Sequence, residues 1–176
     1  MVNMVMEEIH KMGIKGITIC ASSLGKAHDP IVPMIEDGTV TCNVVVGSDG
    51  IITGAQGGHP DTAAGAKCTI VISPLLQGRI PAICTNVTTV TTPGETVDVV
   101  ITDYGIAVNP RRQDLIECMK DSGLPLCTIE ELRDQAYAIT GEPDPVQFGD
   151  KVVGIIEARD GSIMDVVREV KKYSFD

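Results

Sequence analysis

The sequence predicts an α/β domain built on a mostly parallel sheet flanked by helices, and three observations carry that expectation. Trp is absent and Phe and Tyr together number five, so the core has to be assembled from Val, Ile, Leu, Met and Ala. Such residues, gathered in short β-branched runs like Cys68–Ser73 and Val97–Thr102, are the mark of strands buried on both faces. Strand-like and helix-like segments also alternate, above all after residue 97, which favours parallel pairing through helical crossovers. A chain of 176 residues suffices for one domain with a single sizeable core, or for two very small ones.

Taken in order, residues 2–12 read as a helix, with Val2, Val5, Met6 and Ile9 on one face and Gly13 ending it. Gly16–Cys20 reads as a strand, 21–38 as a loop punctuated by Pro30, Pro33 and Gly38, and Thr39–Val46 as a second strand. Gly47-Ser48-Asp49-Gly50 is a tight turn in which Asp49 serves the turn itself, and Ile51–Thr53 is a short strand. Gly54–Gly65 reads as a loop of Gly and small polar residues in which Pro60 can start a helix. Cys68–Ser73, Ile80–Cys84 and Val97–Thr102 follow as strands. Asn109-Pro110 is expected to open a helix, Asn as cap and Pro at its first position. Leu115, Ile116 and Met119 form its apolar stripe, and Gly123 closes it. Thr128-Ile129-Glu130-Glu131 is a capping box for a helix with Ile129, Leu132, Ala136 and Ile139 inward. Lys151–Ala158 reads as a strand. Ser162 is then expected to cap a last helix, with Ile163, Val166, Val167 and Val170 as its stripe.

Charge and composition exclude several function classes. The net charge is −10 and basic residues cluster no further than the pairs Arg111-Arg112 and Lys171-Lys172, so nucleic acid is not an expected partner. No apolar run reaches the roughly 18–20 residues that span a bilayer. The segment MVNMVMEEIH carries Glu where a signal peptide carries Lys or Arg, and a cytoplasmic location is expected. The six cysteines form no C-x-x-C pair. Cys20, Cys42, Cys68 and Cys84 lie in apolar runs and read chiefly as small hydrophobes, with metal or disulfide use the lesser alternative. Three histidines without common local spacing point away from zinc, and no metal is expected. G-x-S-x-G, G-x-G-x-x-G and P-loop motifs are all missing.

The stretch most suggestive of chemistry is Gly54-Ala55-Gln56-Gly57-Gly58-His59-Pro60-Asp61-Thr62-Ala63-Ala64-Gly65-Ala66. Gly57-Gly58 lets a ligand approach backbone N–H groups closely, and free N–H groups at a helix start form an anion or oxyanion site. Gln56, Gly57, Gly58, His59 and Asp61 are therefore the candidate binding residues, the alternative being a turn that merely reverses the chain. His59 could act as an acid or base near its ordinary pKa, or serve as a fixed hydrogen-bonding group. His28 reads as a turn residue and His10 as a helix-surface one. Arg79, Arg111 and Arg112 read by themselves as solvated surface arginines.

GSDGIITGAQGGHPDTAAGAK, PLLQGRIPAI and TTPGETVDVVITDYGIAVNPRRQDL, continuing through Lys172, resemble the C-terminal part of the citrate lyase alpha chain, a CoA-transferase-like α/β family. VNMVMEEIHKMGIKGITICASSLGKAHDPIVPMIEDGTVT resembles the N-terminal part of the same family. The long middle segment that separates the two in full-length relatives has no counterpart here. The resemblance implies two sequence pieces, 1–41 and 42–176, in one compact unit with a CoA-transferase-like fold. It implies transfer of a carrier-bound, CoA-like thioester from acetate to citrate, or else a catalytically incomplete module that binds CoA or the acyl carrier. It implies citrate as substrate, with Arg79, Arg111 and Arg112 as candidate anchors for its carboxylates, the lyase beta chain and gamma acyl-carrier chain as partners, an oligomer, and no tightly bound cofactor. Gly57, Gly58 and Asp61 would face the thioester site. Family I CoA-transferases attack the thioester with a carboxylate, and the position of that nucleophile has no match here. Asp49, Asp61, Glu95 and Asp103 are acidic residues near the motifs, and the nucleophile stays unassigned among them.

Overall fold

A computed structural model describes residues 1–21, 38–41, 45–46, 52–53, 59–87, 89–145 and 147–171. The domain is α/β, with a six-stranded, mostly parallel sheet flanked by helices. Helix α1 (Val2–Lys11) comes first and buries Val5, Met6 and Ile9, as the spacing predicts. Gly13, at φ 69°, turns the chain out of it. The strands that build the sheet are β1 (Ile17–Ala21), β2 (Gly38–Thr41), β5 (Cys68–Ile72), β8 (Val99–Ile101), β9 (Ile106–Val108) and β10 (Leu126–Cys127). Their spatial order is β10-β9-β8-β5-β1-β2. All neighbours run parallel except β8 and β9, which are antiparallel. Strands from both sequence pieces, β1 and β2 from the first and the rest from the second, thus share one sheet.

One face of the sheet is dry. Ile17, Ile19, Cys68, Ile70, Val99, Ile101 and Ile106 pack there against α1 and against Leu115 and Met119 of α3 (Gln113–Met119). The opposite face holds a smaller cluster in which Leu132 and Ala136 of α4 (Ile129–Thr140) meet Leu75 and Ala107. The predicted capping box is formed: Thr128 Oγ1 accepts from the Glu131 N–H at 3.1 Å, and Glu131 Oε2 accepts from the Thr128 N–H at 2.8 Å. Ile139, expected inward, is 55% exposed, because the last turn of α4 lies outside the cluster its middle turns complete.

Several expected elements are corrected. The 39–46 strand is two pieces: β2 joins the main sheet, whereas β3 (Val45–Val46) pairs antiparallel with β4 (Ile52–Thr53). The Gly47–Gly50 turn and most of the 21–38 loop lie outside the described residues. The C-terminal half of the expected 54–65 loop is helix α2 (His59–Gly65). The 80–84 strand shrinks to β7 (Ile80–Pro81), paired with β6 (Leu76–Gln77). Asn109 does not cap a helix. Its Oδ1 accepts from the Arg111 N–H at 3.0 Å and its carbonyl from the Arg112 N–H at 2.9 Å, a turn that delays α3 to Gln113. Cys84 is exposed rather than core, while Cys68 is buried.

The largest correction is at the C-terminal end. The segment expected as a helix after Ser162 is strand β12 (Ile163–Val170), antiparallel to β11 (Phe148–Glu157). The turn chemistry decides it. Gly161, at φ 84°, donates its N–H to the Ala158 carbonyl at 2.9 Å, and Asp160 Oδ1 accepts from both the N–H and the hydroxyl of Ser162. Asp-Gly between apolar runs is a strong short-range hairpin signal. The Val and Ile residues that mimic a helical stripe also favour a strand.

Candidate functional site

The site grows from the first turn of α2. His59 and Pro60 are buried there, His59 to 1% exposure. The Thr62 hydroxyl bonds back to the His59 carbonyl at 3.2 Å and fastens the turn. The imidazole Nδ1 lies 2.9 Å from Thr92 Oγ1. Its Nε2 is fully buried and has no hydrogen-bond partner among the described residues. Burial pushes the His59 pKa below its ordinary value, so the ring is neutral near pH 7. A buried polar atom without a partner is rare in native proteins and asks for a reason.

Thr92 is itself held on both sides. The Val90 N–H donates to Asp165 Oδ2 of β12 at 2.7 Å. On the other side, the Pro93 carbonyl accepts from the Thr96 N–H and hydroxyl at 3.0 and 2.7 Å, where a single 3₁₀ turn, Gly94–Thr96, begins. Asp61, also in the first turn of α2, has its Oδ2 3.5 Å from Arg159 Nε at the tip of the β11–β12 hairpin.

His59 and Asp61 are therefore brought together with Thr92, Arg159 and Asp165. Gln56, Gly57 and Gly58 lie outside the described residues, as do His28 and Asp49. Arg79 is exposed in the turn between β6 and β7, and Arg111 is exposed in the turn before α3. Arg112 has a different occupation: Nη1 meets Asp98 Oδ1 at 2.8 Å, and Nη2 and Nε grip Asp114 at 2.8 and 2.9 Å. Asp98 in turn accepts the Thr69 N–H at 2.7 Å. Arg112 thus ties α3 to β5 and β8. Among the acidic residues, Asp103 accepts the Leu75 N–H at 2.7 Å and Glu95 is exposed in the 3₁₀ turn. Among the described residues no group of three His, Cys, Asp or Glu side chains could hold a metal ion, and no helix is long and apolar enough to cross a membrane.

Thr92, Arg159 and Asp165 escape a sequence reading that takes 163–170 for a helix. The Asp160-Gly161 turn signal would have placed Asp165 on a strand facing back toward the preceding chain. A cavity of about 730 Å³ lies elsewhere, where Val97, Val100, Ala107, Leu126 and Ile129 surround the start of α4. It shares no residue with the His59 seat and is almost wholly apolar.

The model of the family described as citrate lyase, alpha subunit, matches residues 1–42 and 40–170. The chain belongs to this family. The citrate lyase alpha chain of Klebsiella pneumoniae is 55% identical over 129 residues, which cover 73% of this chain and 25% of that one. The citrate lyase alpha chain of Haemophilus influenzae is 53% identical over 129 residues, covering 73% and 26%. A crystal structure of the alpha subunit of citrate lyase from Streptococcus mutans, in complex with citrate, superposes with a TM-score of 0.74 at 51% identity. It covers 89% of this chain and 28% of that protein. The chain thus spans about a quarter of the length of the citrate lyase alpha chains it matches.

Proposed function

We propose that this chain supplies the His59 side of an acyl-exchange site in citrate lyase, at which a carrier-bound acetyl thioester and citrate become a citryl thioester and acetate. In that exchange the thioester bond to the acetyl group breaks, a thioester bond to a citrate carboxyl carbon forms, and acetate leaves. The observation that carries the reading is the buried, neutral imidazole whose Nε2 has no partner among the described residues, directly after Gly57-Gly58. When the Thr92 hydroxyl donates to Nδ1, the proton sits on Nε2, which can donate to a carboxylate or thioester oxygen. Backbone N–H groups of Gly57 and Gly58, with Gln56 beside them, would supply further donors, and Asp61 would fix the helix start. Arg79 and Arg111, both exposed, stay available as carboxylate anchors. The nucleophilic carboxylate is unassigned.

Membership of the family and the citrate carried by the Streptococcus mutans relative support citrate as the substrate. The same reading makes the beta chain and the gamma acyl-carrier chain the partners within an oligomer, and the cytoplasm the location. The CoA-type thioester arrives as a substrate on the carrier, with no tightly bound cofactor. The quarter-length span favours a second reading, a module that binds citrate or the thioester without turning it over.

Calorimetric titration with citrate and with acetyl-CoA separates these. Citrate should bind the unaltered chain and bind H59Q at least tenfold more weakly, since a hydrogen bond to a charged group contributes about 1.5–3 kcal/mol. G58V should abolish thioester binding with the fold intact. Unchanged affinity in both variants removes this loop from the site. Citrate-dependent acetate release from acetyl-CoA is the companion assay: binding with only traces of release fits the module, whereas robust release lost in G58V fits the complete transferase.

A further inference from the structure

The β11–β12 hairpin touches both halves of the His59 seat. Its tip reaches α2 through Arg159 and Asp61, and its second strand reaches the 90–93 strap through Asp165. The two contacts differ in quality. Arg159 is 84% exposed and 3.5 Å from its partner. Asp165 is partly buried, accepts the Val90 N–H at 2.7 Å through Oδ2 and the Val166 N–H at 2.7 Å through Oδ1, and sits opposite Ile156 in the ladder. Its carboxylate is thereby fixed in direction by its own strand. Two residues beyond Val90, Thr92 presents its hydroxyl to the imidazole. Beyond Thr92, Pro93 has restricted backbone freedom and its carbonyl is bonded by Thr96.

With the strap anchored at Val90 and at Pro93, the Thr92 hydroxyl has little room to move, and the imidazole it holds inherits that restriction. We infer that Asp165 is a positioning residue for His59, acting through the Val90 N–H and the Thr92 hydroxyl to hold the ring in one orientation with Nε2 turned away from Thr92. A strand 106 positions away in sequence thus sets the aim of a helix-start histidine. The arrangement explains why an acidic side chain stands half-buried in β12: a carboxylate accepts strongly from two backbone N–H groups at once. What the orientation serves rests on the acyl-exchange reading; the orientation itself does not.

The test is long-range 1H–15N correlation of the histidine rings in the whole chain, without ligand, with His59 assigned by its loss in H59Q. The ring nitrogens of a histidine held at Nδ1 report one dominant tautomer. T92V and D165A should both lose that single-tautomer pattern, and D165N, whose one amide oxygen can accept from Val90 only by giving up the Val166 bond, should restore it in part. A folded D165A with the ring signals of the unaltered chain overturns the proposal. So does a T92V that leaves them unmoved, since the link to the ring is then missing. If D165A fails to fold, D165S, which is too short to reach Val90, takes its place. Unfolding of both assigns Asp165 to the stability of the fold and overturns the positioning role. Citrate and thioester are absent throughout, so failure of the acyl-exchange reading in the titrations leaves this outcome untouched.

Discussion

The sheet face under α1 and α3 and the corner where the β11–β12 hairpin meets α2 are held together in different ways. The first is apolar and continuous, with Val5, Ile9, Ile19, Cys68, Ile70, Ile106, Leu115 and Met119 all fully buried. The second rests on polar contacts: Asp165 to Val90, His59 to Thr92 and Asp61 to Arg159. The hairpin meanwhile leaves Val153, Ile155 and Ile163 more than half exposed. A two-stranded hairpin has marginal stability by itself, so its placement depends on a few directed bonds. Burial shared among many side chains gives stability with little geometric precision at any one atom. A short chain of hydrogen bonds gives the reverse, which is what a site needs.

The comparison breaks most visibly in the dry face. Ile70 is fully buried at the centre of the sheet, between β1 and β8. Ile70→Ala should destabilise the fold by about 2–5 kcal/mol, read by urea denaturation. Val153→Ala, on the exposed hairpin face, should change stability by less than about 0.5 kcal/mol. Equal effects would mean that the hairpin face is covered and as apolar in its support as the sheet face.

Arg112 comes next. It is 21% exposed and Asp98 14%, and the pair joins α3 to two core strands. Removing the guanidinium leaves a half-buried carboxylate bonded, among the described residues, to the Thr69 N–H. Arg112→Ala should therefore cost about 1.5–3 kcal/mol in the same denaturation experiment. Arg112→Lys should recover little of it, because one ammonium cannot grip Asp98 and Asp114 together as the fork does. A direct fall in citrate affinity with stability unchanged would return Arg112 to the substrate anchors.

This residue also shows how far the sequence could be read. The Asn-Pro-Arg-Arg pattern locates a helix start within a few residues but is silent on which arginine turns inward. That depends on Asp98, whose position is set by β8 pairing with β5. The capping box at Thr128 and the α1 face were legible because their rules are local. Strands β9 and β10, of three and two residues, were not, since segments so short have no periodicity and exist only through their neighbours. Residues 163–170 differ for another reason: Ile163, Val166, Val167 and Val170 fit a helical stripe, and the Asp160-Gly161 turn overrules it. With that strand misread, the Gly-Gly-His-Pro-Asp motif was visible but Thr92, Arg159 and Asp165 around it were not.

A smaller effect follows from the imidazole. His59 is buried neutral and its folded-state pKa lies below the ordinary 6.5. The unfolded chain therefore binds the proton more readily than the folded one. Above about 6.5 both forms are neutral and His59 adds no pH dependence; as pH falls below that value the unfolded state gains protons first and stability declines. The decline ends once the folded-state pKa is passed. Thermal unfolding between pH 8 and pH 5 should show this slope, reduced in H59Q after subtraction of the common carboxylate background. An identical slope in H59Q would mean that the ring reaches solvent.

The smallest effect separates the two ends of the hairpin. Arg159 is 84% exposed and meets Asp61 at 3.5 Å, a geometry in which water screens the attraction and side-chain entropy offsets most of the rest. Arg159→Ala should change stability by less than about 0.5 kcal/mol and leave the His59 ring signals in place. Raising the salt concentration should add nothing, since an exposed pair is already weak at physiological ionic strength. If Arg159→Ala instead disturbs the ring as D165A is expected to, the hairpin is placed by its tip. The aim of His59 would then run through Asp61 and the start of α2 instead of through Val90 and Thr92.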